Sequence, residues 1–311
     1  MEKFVIIADS TCDLGEQFQK EYDVKVIPGH VVLPDKSEIY TYVKWEHFTR
    51  EEFYSSLKKN PDSYATSPAN STEFAETFRE YAKEGFDILC MTISGGMSGT
   101  FGFASTAAKT VSEEFPDAKI RVIDTLRFGP GFGLMTMYAS DLRKEGKTLE
   151  ETAEWLEANK NRFHQAGWLD DLSFVAKKGR LTHAKAFFGT LAGVKPIGEF
   201  DYNGLTTVIG KAKGAKAAYA AMLRYIEETG ENLSEQIIFI AQTNRMPQAE
   251  EFARQIKEKF NPKAVYINDV HPACGVNIGP GLMAAYYVGK PITEGLGVEK
   301  EILNRALGAT E

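Results

Sequence analysis

The stretch from Asp87 to Phe115 constrains the fold most. An apolar run, DILCMTI, gives way through SGGMSGT to FGFASTAAKTVSEEF. Read in order, these are a buried strand, a Gly/Ser/Thr turn and a helix. A helix start carries free backbone N–H groups and the positive end of the helix dipole. Gly95, Gly96 and Gly99 let a ligand come close to the main chain, and Ser94, Ser98 and Thr100 add hydroxyl donors. Such a turn is a cradle for a small anion, a phosphate or a carboxylate. The loop from Ser94 to Thr100 contains no Lys, Arg, Cys or His. It is suited to holding an anion rather than reacting with one.

The same strand-then-helix rhythm runs through the first half of the chain. Phe4–Ala8 reads as a strand that ends in the polar turn Asp9-Ser10-Thr11-Cys12-Asp13. Glu16–Tyr22 reads as a helix and Val24–Pro28 as a second strand. Thr49 with Glu52, and Asn70 with Glu73, are capping boxes that open helices. Ile120–Ile123 is a strand ending in Asp124-Thr125, and a helix from about Phe132 to Lys144 follows. Alternation at this spacing predicts a parallel, Rossmann-like sheet covered on both faces. Ligands of such sheets bind beyond the carboxyl ends of the strands. Asp9-Ser10-Thr11, Thr66-Ser67, the Ser94–Thr100 loop and Asp124-Thr125 are therefore expected to gather on one rim.

Beyond Thr148 the pattern changes. A helix over Leu149–Asn161 leads to strands at Gln165–Leu169 and Lys195–Phe200, a hairpin turn at Asp201–Gly204, and a strand at Leu205–Ile209. Helices at Lys216–Thr229 and Met246–Phe260 flank strands at Ile237–Gln242 and Ala264–Asn268. The tail reads as a short loop and an exposed helix over Val298–Leu307. The fold class expected is α/β: a parallel-sheet domain over residues 1–160 and an α+β domain over 161–311, within the usual size range of domains.

Charge and composition exclude several classes. A net charge of -7 with no densely basic segment argues against nucleic acid as partner. No apolar stretch approaches the ~20 residues of a membrane span, and the N-terminus reads as a first strand rather than a signal peptide, so the expected location is cytoplasmic. Three widely spaced cysteines imply no disulfide framework. His271-Pro272-Ala273-Cys274 has half the spacing of a zinc site, but no second pair lies nearby, so no metal is expected. There is no G-x4-G-K-[ST] motif, and the glycines of Gly129-Pro130-Gly131-Phe132-Gly133 lack dinucleotide-binding spacing.

Seven short motifs, in order, resemble the DegV family of bacterial fatty-acid-binding proteins, which includes the FakB proteins that present acyl chains to a fatty acid kinase. They are Ala8-Asp9-Ser10-Thr11-Cys12-Asp13-Leu14, Tyr64-Ala65-Thr66-Ser67-Pro68, Ile93–Thr100, Val122–Thr125, Lys178-Gly179-Arg180-Leu181-Thr182, Val194-Lys195-Pro196-Ile197 and Gly275–Gly281. Each alone is weak, and the ordered set spans nearly the whole chain. Three departures stand out. Gly95 occupies a position where relatives often have a second serine, Lys178 replaces the first glycine of a Gly-Gly-Arg motif, and Asn277 stands where relatives often have His. An amide donates a hydrogen bond but carries no proton-dependent charge.

The resemblance implies a long-chain fatty acid lying between the domains, with no other cofactor. It places the carboxylate at Thr66, Ser94, Gly95, Ser98 and Asn277. Arg180 reads as a ligand contact, an interdomain ion pair or a partner-facing charge. Asp9 and Asp124 read as loop-fixing carboxylates. Phe101, Phe103, Phe187, Phe188 and Leu191 are candidates for the acyl tunnel. Burying roughly 12 methylenes at about 0.8 kcal/mol each gives on the order of 10 kcal/mol before binding costs, so the tail would supply most of the affinity. The implied function is a carrier, not an enzyme, that presents the carboxylate to a separate fatty acid kinase for acyl-phosphate formation. The alternatives are a serine-dependent hydrolase, or a protein that binds a phosphorylated metabolite, either one using the Ser94–Thr100 loop. The loop lacks the G-x-S-x-G nucleophile elbow.

Overall fold

The computed structural model describes residues 3–41, 45–180 and 193–308. In chain order the strands are β1 (Phe4–Asp9), β2 (Val24–Ile27), β3 (Gly29–Val32), β4 (Glu38–Thr41), β5 (Ala65–Ser67), β6 (Asp87–Thr92), β7 (Ile120–Asp124), β8 (Phe163–Leu169), β9 (Val194–Phe200), β10 (Thr206–Lys213), β11 (Ile237–Gln242), β12 (Ala264–Asp269) and β13 (Leu282–Val288). The α-helices are α1 (Glu16–Glu21), α2 (Arg50–Lys59), α3 (Ser71–Lys83), α4 (Thr100–Glu114), α5 (Gly129–Lys144), α6 (Leu149–Asn159), α7 (Ser173–Lys177), α8 (Ala215–Thr229), α9 (Met246–Phe260), α10 (Pro272–Ile278) and α11 (Gly297–Ala306). The described residues form two compact units. The first lies within Met1–Lys44, Tyr64–Lys160 and His271–Ala273, the second within Trp45–Ser63, Asn161–Val270 and Cys274–Glu311.

The first unit is built on a parallel sheet in the order β2-β1-β6-β7. Every residue of β1 is buried, as a strand covered on both faces requires. Val5, Ile7, Ile88 and Cys90 pack with Phe74 and Phe78 of α3 and with Ala104, Ala107 and Val111 of α4. Cys90 is thus core filler, and burial pushes its thiol well up in pKa. The Asn70–Glu73 capping box forms: the Asn70 side chain accepts from the Thr72 and Glu73 N–H groups, and Glu73 accepts from the Asn70 N–H at 2.8 Å. Phe74, Phe78 and Ala82, four residues apart, then bury one face of α3. Alongside β1, the Arg143 guanidinium of α5 donates to the Phe4 carbonyl at 3.3 Å. Gly133 makes the fit of α5 possible, since a Cβ there would lie 2.4 Å from the Cys12 carbonyl oxygen.

A small antiparallel sheet, β4-β3-β5, belongs to the same unit. The sequence shows no clear sign of it, because its strands are three or four residues long and only partly buried. His271 also belongs here. Its N–H donates to Asp13 at 3.0 Å, its Nδ1 accepts from the Ala273 N–H at 3.2 Å, and its Nε2–H donates to the Thr41 carbonyl at 2.6 Å. Both ring nitrogens are committed to the backbone, and burial lowers the imidazole pKa to about 4. Among the described residues no group of three or more His, Cys, Asp or Glu is placed to hold a metal ion.

The second unit carries a six-stranded sheet, β10-β9-β8-β13-β11-β12, antiparallel except for the parallel pair β11–β12. β13 is an internal strand that the sequence reading leaves out. Its middle is Ala284-Ala285, a weak β signal, and it fits because a Cβ on neighbouring Gly167 would lie 2.3 Å from the Ala284 Cβ. The last helix, α11, is not simply exposed as expected. Ile302 and Leu303 are buried, and Leu303 packs where a Cβ on Gly210 of β10 would meet its Cδ2 at 2.6 Å. Buried Glu199 is fully engaged, accepting from His164 Nδ1 at 2.8 Å, the Tyr225 hydroxyl at 2.9 Å and the Gln165 N–H at 2.6 Å. The division at residue 160 takes no account of residues 45–63, which join this unit. There the Trp45 indole N–H donates to Asp269 at 2.6 Å and the Arg50 guanidinium to the same carboxylate at 2.9 Å.

Candidate functional site

The carboxyl ends of β1, β6 and β7 meet at one rim, and hydrogen bonds between side chains and backbone tie them together. Asp9, at the end of β1, accepts from the Ile93 N–H at 2.7 Å and from the Thr11 N–H at 2.9 Å, and also holds the Thr11 hydroxyl. Burial raises its carboxyl pKa, against the lowering effect of these bonds. Asp124, at the end of β7, accepts from the Gly95 N–H at 3.1 and 3.2 Å and from the Leu126 N–H at 3.0 Å. Both aspartates therefore fix the turns around the glycine loop, the role expected of them. The register places Thr92 of β6 opposite Asp124, which aims the loop at that carboxylate.

Within the loop, Ser94 is fully buried. Its N–H donates to the Arg127 carbonyl at 2.9 Å, its carbonyl accepts from the Met97 and Ser98 N–H groups, and its hydroxyl oxygen accepts from the Gly96 N–H at 3.2 Å. Ser98 is half-buried, with Oγ 2.8 Å from Thr100 Oγ1 and accepting weakly from the Thr100 N–H at 3.4 Å. α4 begins directly after Gly99, which has no side chain to cap it, and Ser98 Oγ reaches only the Thr100 N–H. The Phe101 and Gly102 N–H groups precede the first bond along the helix, from the Phe103 N–H to the Gly99 carbonyl at 3.2 Å, and suit an acceptor from outside. Gly95, Gly96 and Gly99 are exposed on this rim. Gly95 departs from the expected part of a ligand donor, because its N–H already serves Asp124. What it contributes is clearance: a Cβ there would lie 2.7 Å from Asp124 Oδ2.

Thr66 is linked to the rim only through β3. It pairs with Val31 across β5 and β3, and the Gly29 N–H at the start of β3 donates to the Ser10 hydroxyl at 2.8 Å. Ser10 follows Asp9 directly, so the Thr66 strand is tied to the rim at one point. Phe103 of α4 is a large apolar side chain left exposed, and Phe101 beside it is half-buried. Phe187, Phe188 and Leu191, together with the Leu181-Thr182 end of one motif, lie outside the described residues.

Asn277 and Arg180 belong to the second unit. Asn277 is half-buried on the short helix α10. Arg180 is exposed just beyond α7, its guanidinium donating to the Lys178 carbonyl. Sequence reasoning overlooked Arg127. It is fully buried two residues beyond Thr125, its guanidinium donates to the Leu126 carbonyl at 2.7 Å, and its own carbonyl receives the Ser94 N–H. An arginine between apolar residues and a Gly-Pro pair was the signal available, but burial could not be read from it.

A family model described as an uncharacterised protein of the DegV family matches residues 3–290. The chain belongs to the DegV family. A DegV domain-containing protein of Clostridium perfringens is 32% identical over 289 residues, 93% of this chain and 98% of its own. Among solved structures, a fatty-acid-binding DegV family protein of Thermus thermophilus superposes with a TM-score of 0.82 at 25% identity, covering 92% of this chain and 99% of that one. A stearic-acid-binding protein of Eubacterium ventriosum superposes with a TM-score of 0.79 over 92% of this chain and 98% of its own. At 22% identity that likeness speaks for the DegV fold alone. Among the described residues no helix is long and apolar enough to cross a membrane.

Proposed function

We infer that this DegV chain binds a long-chain fatty acid, holds its carboxylate at the rim of the parallel sheet, and presents it to a separate fatty acid kinase that makes the acyl phosphate. The observation that carries this reading is the start of α4, which its N-cap glycine leaves open, behind a loop whose backbone is fixed by Asp9 and Asp124. A carboxylate there accepts from neutral donors: the Thr66, Ser94 and Ser98 hydroxyls and the N–H groups of the first helical turn. Bonds to a charged acceptor contribute roughly 1.5–3 kcal/mol each, enough to orient the head group while the acyl chain supplies the bulk of the affinity.

A carrier rather than a hydrolase is also favoured by what surrounds the serines. Ser98 is bonded to Thr100, and both ring nitrogens of three histidines are taken: His30 by Glu73 and Glu38, His164 by Glu199 and the Lys290 carbonyl, and His271 by the Thr41 carbonyl and the Ala273 N–H. A serine nucleophile needs a base within hydrogen-bond reach. The test is to extract the purified protein with organic solvent, analyse the extract by mass spectrometry, and then supply the loaded protein and ATP to a fatty acid kinase. Stoichiometric fatty acid and acyl-phosphate formation that depends on the loaded chain are expected. A bound phosphorylated metabolite, or esterase activity lost in Ser98→Ala, would overturn the reading.

A further inference from the structure

The late glycine motif belongs to the second unit, where two of its glycines shape a cleft. A Cβ on Gly279 would lie 2.5 Å from the Phe174 ring, and one on Gly281 would lie 3.0 Å from the Asp170 Cβ. Both glycines have positive φ, 77° and 105°, which disfavours any side chain there. They let Asp170 and Phe174 close in on the turn that leads into β13. Beside them opens a cleft of about 680 Å³, walled by α2, α7, the β11–α9 turn and Pro280-Gly281. That volume is in the range of small-molecule sites.

The charges lining the cleft favour an anion. Asp170 is neutralised by Lys195 at 2.5 Å and by Arg245, and Asp171 is occupied in accepting the Ser173 N–H at 2.8 Å. Lys58 of α2 and Lys177 of α7 face the same space with no acidic partner among the described residues. In a chain of net charge -7, two unpaired ammonium groups over a cleft whose own carboxylates are already engaged leave a local positive field. Phe174 supplies an apolar wall.

We propose that this cleft binds a phosphate-bearing small molecule, its phosphoryl group held by Lys58 and Lys177. Lysine serves as a point charge for phosphate, and the Ser173 and Asn244 side chains at the same cleft offer neutral donors. The cleft is lined by residues of the second unit alone, so its test does not depend on the fatty-acid reading.

The experiment is titration calorimetry on the protein as purified, with its bound lipid, using pyrophosphate, ADP and an oligoglutamate peptide as probes. Saturable binding of pyrophosphate or ADP is expected, weakened about 10-fold or more in Lys58→Ala and in Lys177→Ala and further in the double variant. Tighter ADP binding shows that the Phe174 wall takes up the ring, and equal affinities show that the phosphates alone are read; either supports the site. No saturable binding of the two phosphate probes, binding that survives the double substitution, or a stronger response to oligoglutamate overturns it. Circular dichroism and lipid content measured on each variant separate lost binding from lost folding.

Discussion

Both carboxylate oxygens of Asp124 accept the Gly95 N–H, at 3.1 and 3.2 Å, across two neighbouring strands. Asp124 also accepts from the Leu126 N–H, so its side chain has little freedom to turn away. The absence of a side chain at Gly95 and the carboxylate at the end of β7 are therefore one local solution.

Gly95→Ser would place a Cβ 2.7 Å from Asp124 Oδ2, so either the loop or the aspartate must move. A loss of roughly 1–3 kcal/mol in stability and faster release of bound fatty acid are expected. Combining it with Asp124→Ala removes the clash, and the double variant should lose less than the sum of the two single losses. Denaturant unfolding of all four proteins gives the cycle; strict additivity would mean that the two residues do not oppose each other.

Thr66→Val removes a hydroxyl and keeps the shape. Fatty-acid affinity should fall about 10-fold or more, with thermal stability close to the parent's. A fluorescent fatty-acid displacement assay reads the first and a melting curve the second. Unchanged affinity takes Thr66 out of the site.

Asp9→Ala strips an acceptor from the Ile93 and Thr11 N–H groups at a buried strand end. A cost of about 2–4 kcal/mol follows if those donors stay dry, together with faster amide exchange at Ile93. If Ile93 keeps the parent's protection, Asp9 is not what anchors the loop.

His271 makes stability depend on pH with a definite sign. Burial holds the ring neutral in the folded chain, with a pKa near 4 against 6.5 for an unperturbed imidazole. The unfolded chain therefore binds the extra proton first. The contribution is complete above about pH 6.5 and is lost as pH falls toward about 4, roughly 3 kcal/mol in all. Urea midpoints between pH 7 and pH 4 should fall more steeply in the parent than in His271→Gln, and equal slopes would exclude His271 as the source.

Local signals in the sequence were read well and distant ones were not. The capping boxes at Thr49–Glu52 and Asn70–Glu73 form, because each needs only residues three apart. The parallel sheet follows from alternation and spacing. β13 was missed because Ala284-Ala285 becomes a strand through its close approach to Gly167, more than a hundred residues earlier in sequence. The turn from Ser94 to Thr100, between β6 and α4, was legible from its glycines and hydroxyls. That Asp124 takes the Gly95 N–H was not, since it depends on the register of β6 against β7. The helix after Thr49 was legible too, but its destination was not: Trp45 and Arg50 are held by Asp269, 224 and 219 residues along the chain.

That last attachment bears on how the chain matures as it is synthesised. Phe53, Tyr54 and Leu57 of α2 are buried in a unit whose sheet begins only at Phe163. At ribosomal speeds of about 5–20 residues per second, Phe53 and Tyr54 wait on the order of ten seconds or longer for α10, whose Gly275 lies so close that a Cβ there would meet the Tyr54 hydroxyl at 2.8 Å. The first unit condenses while that helix is still unsatisfied, and a truncation at residue 160 leaves it without that partner. Such a fragment would be a target for chaperones and proteases rather than an autonomous half, so the two units, compact as each is, must mature as a single chain.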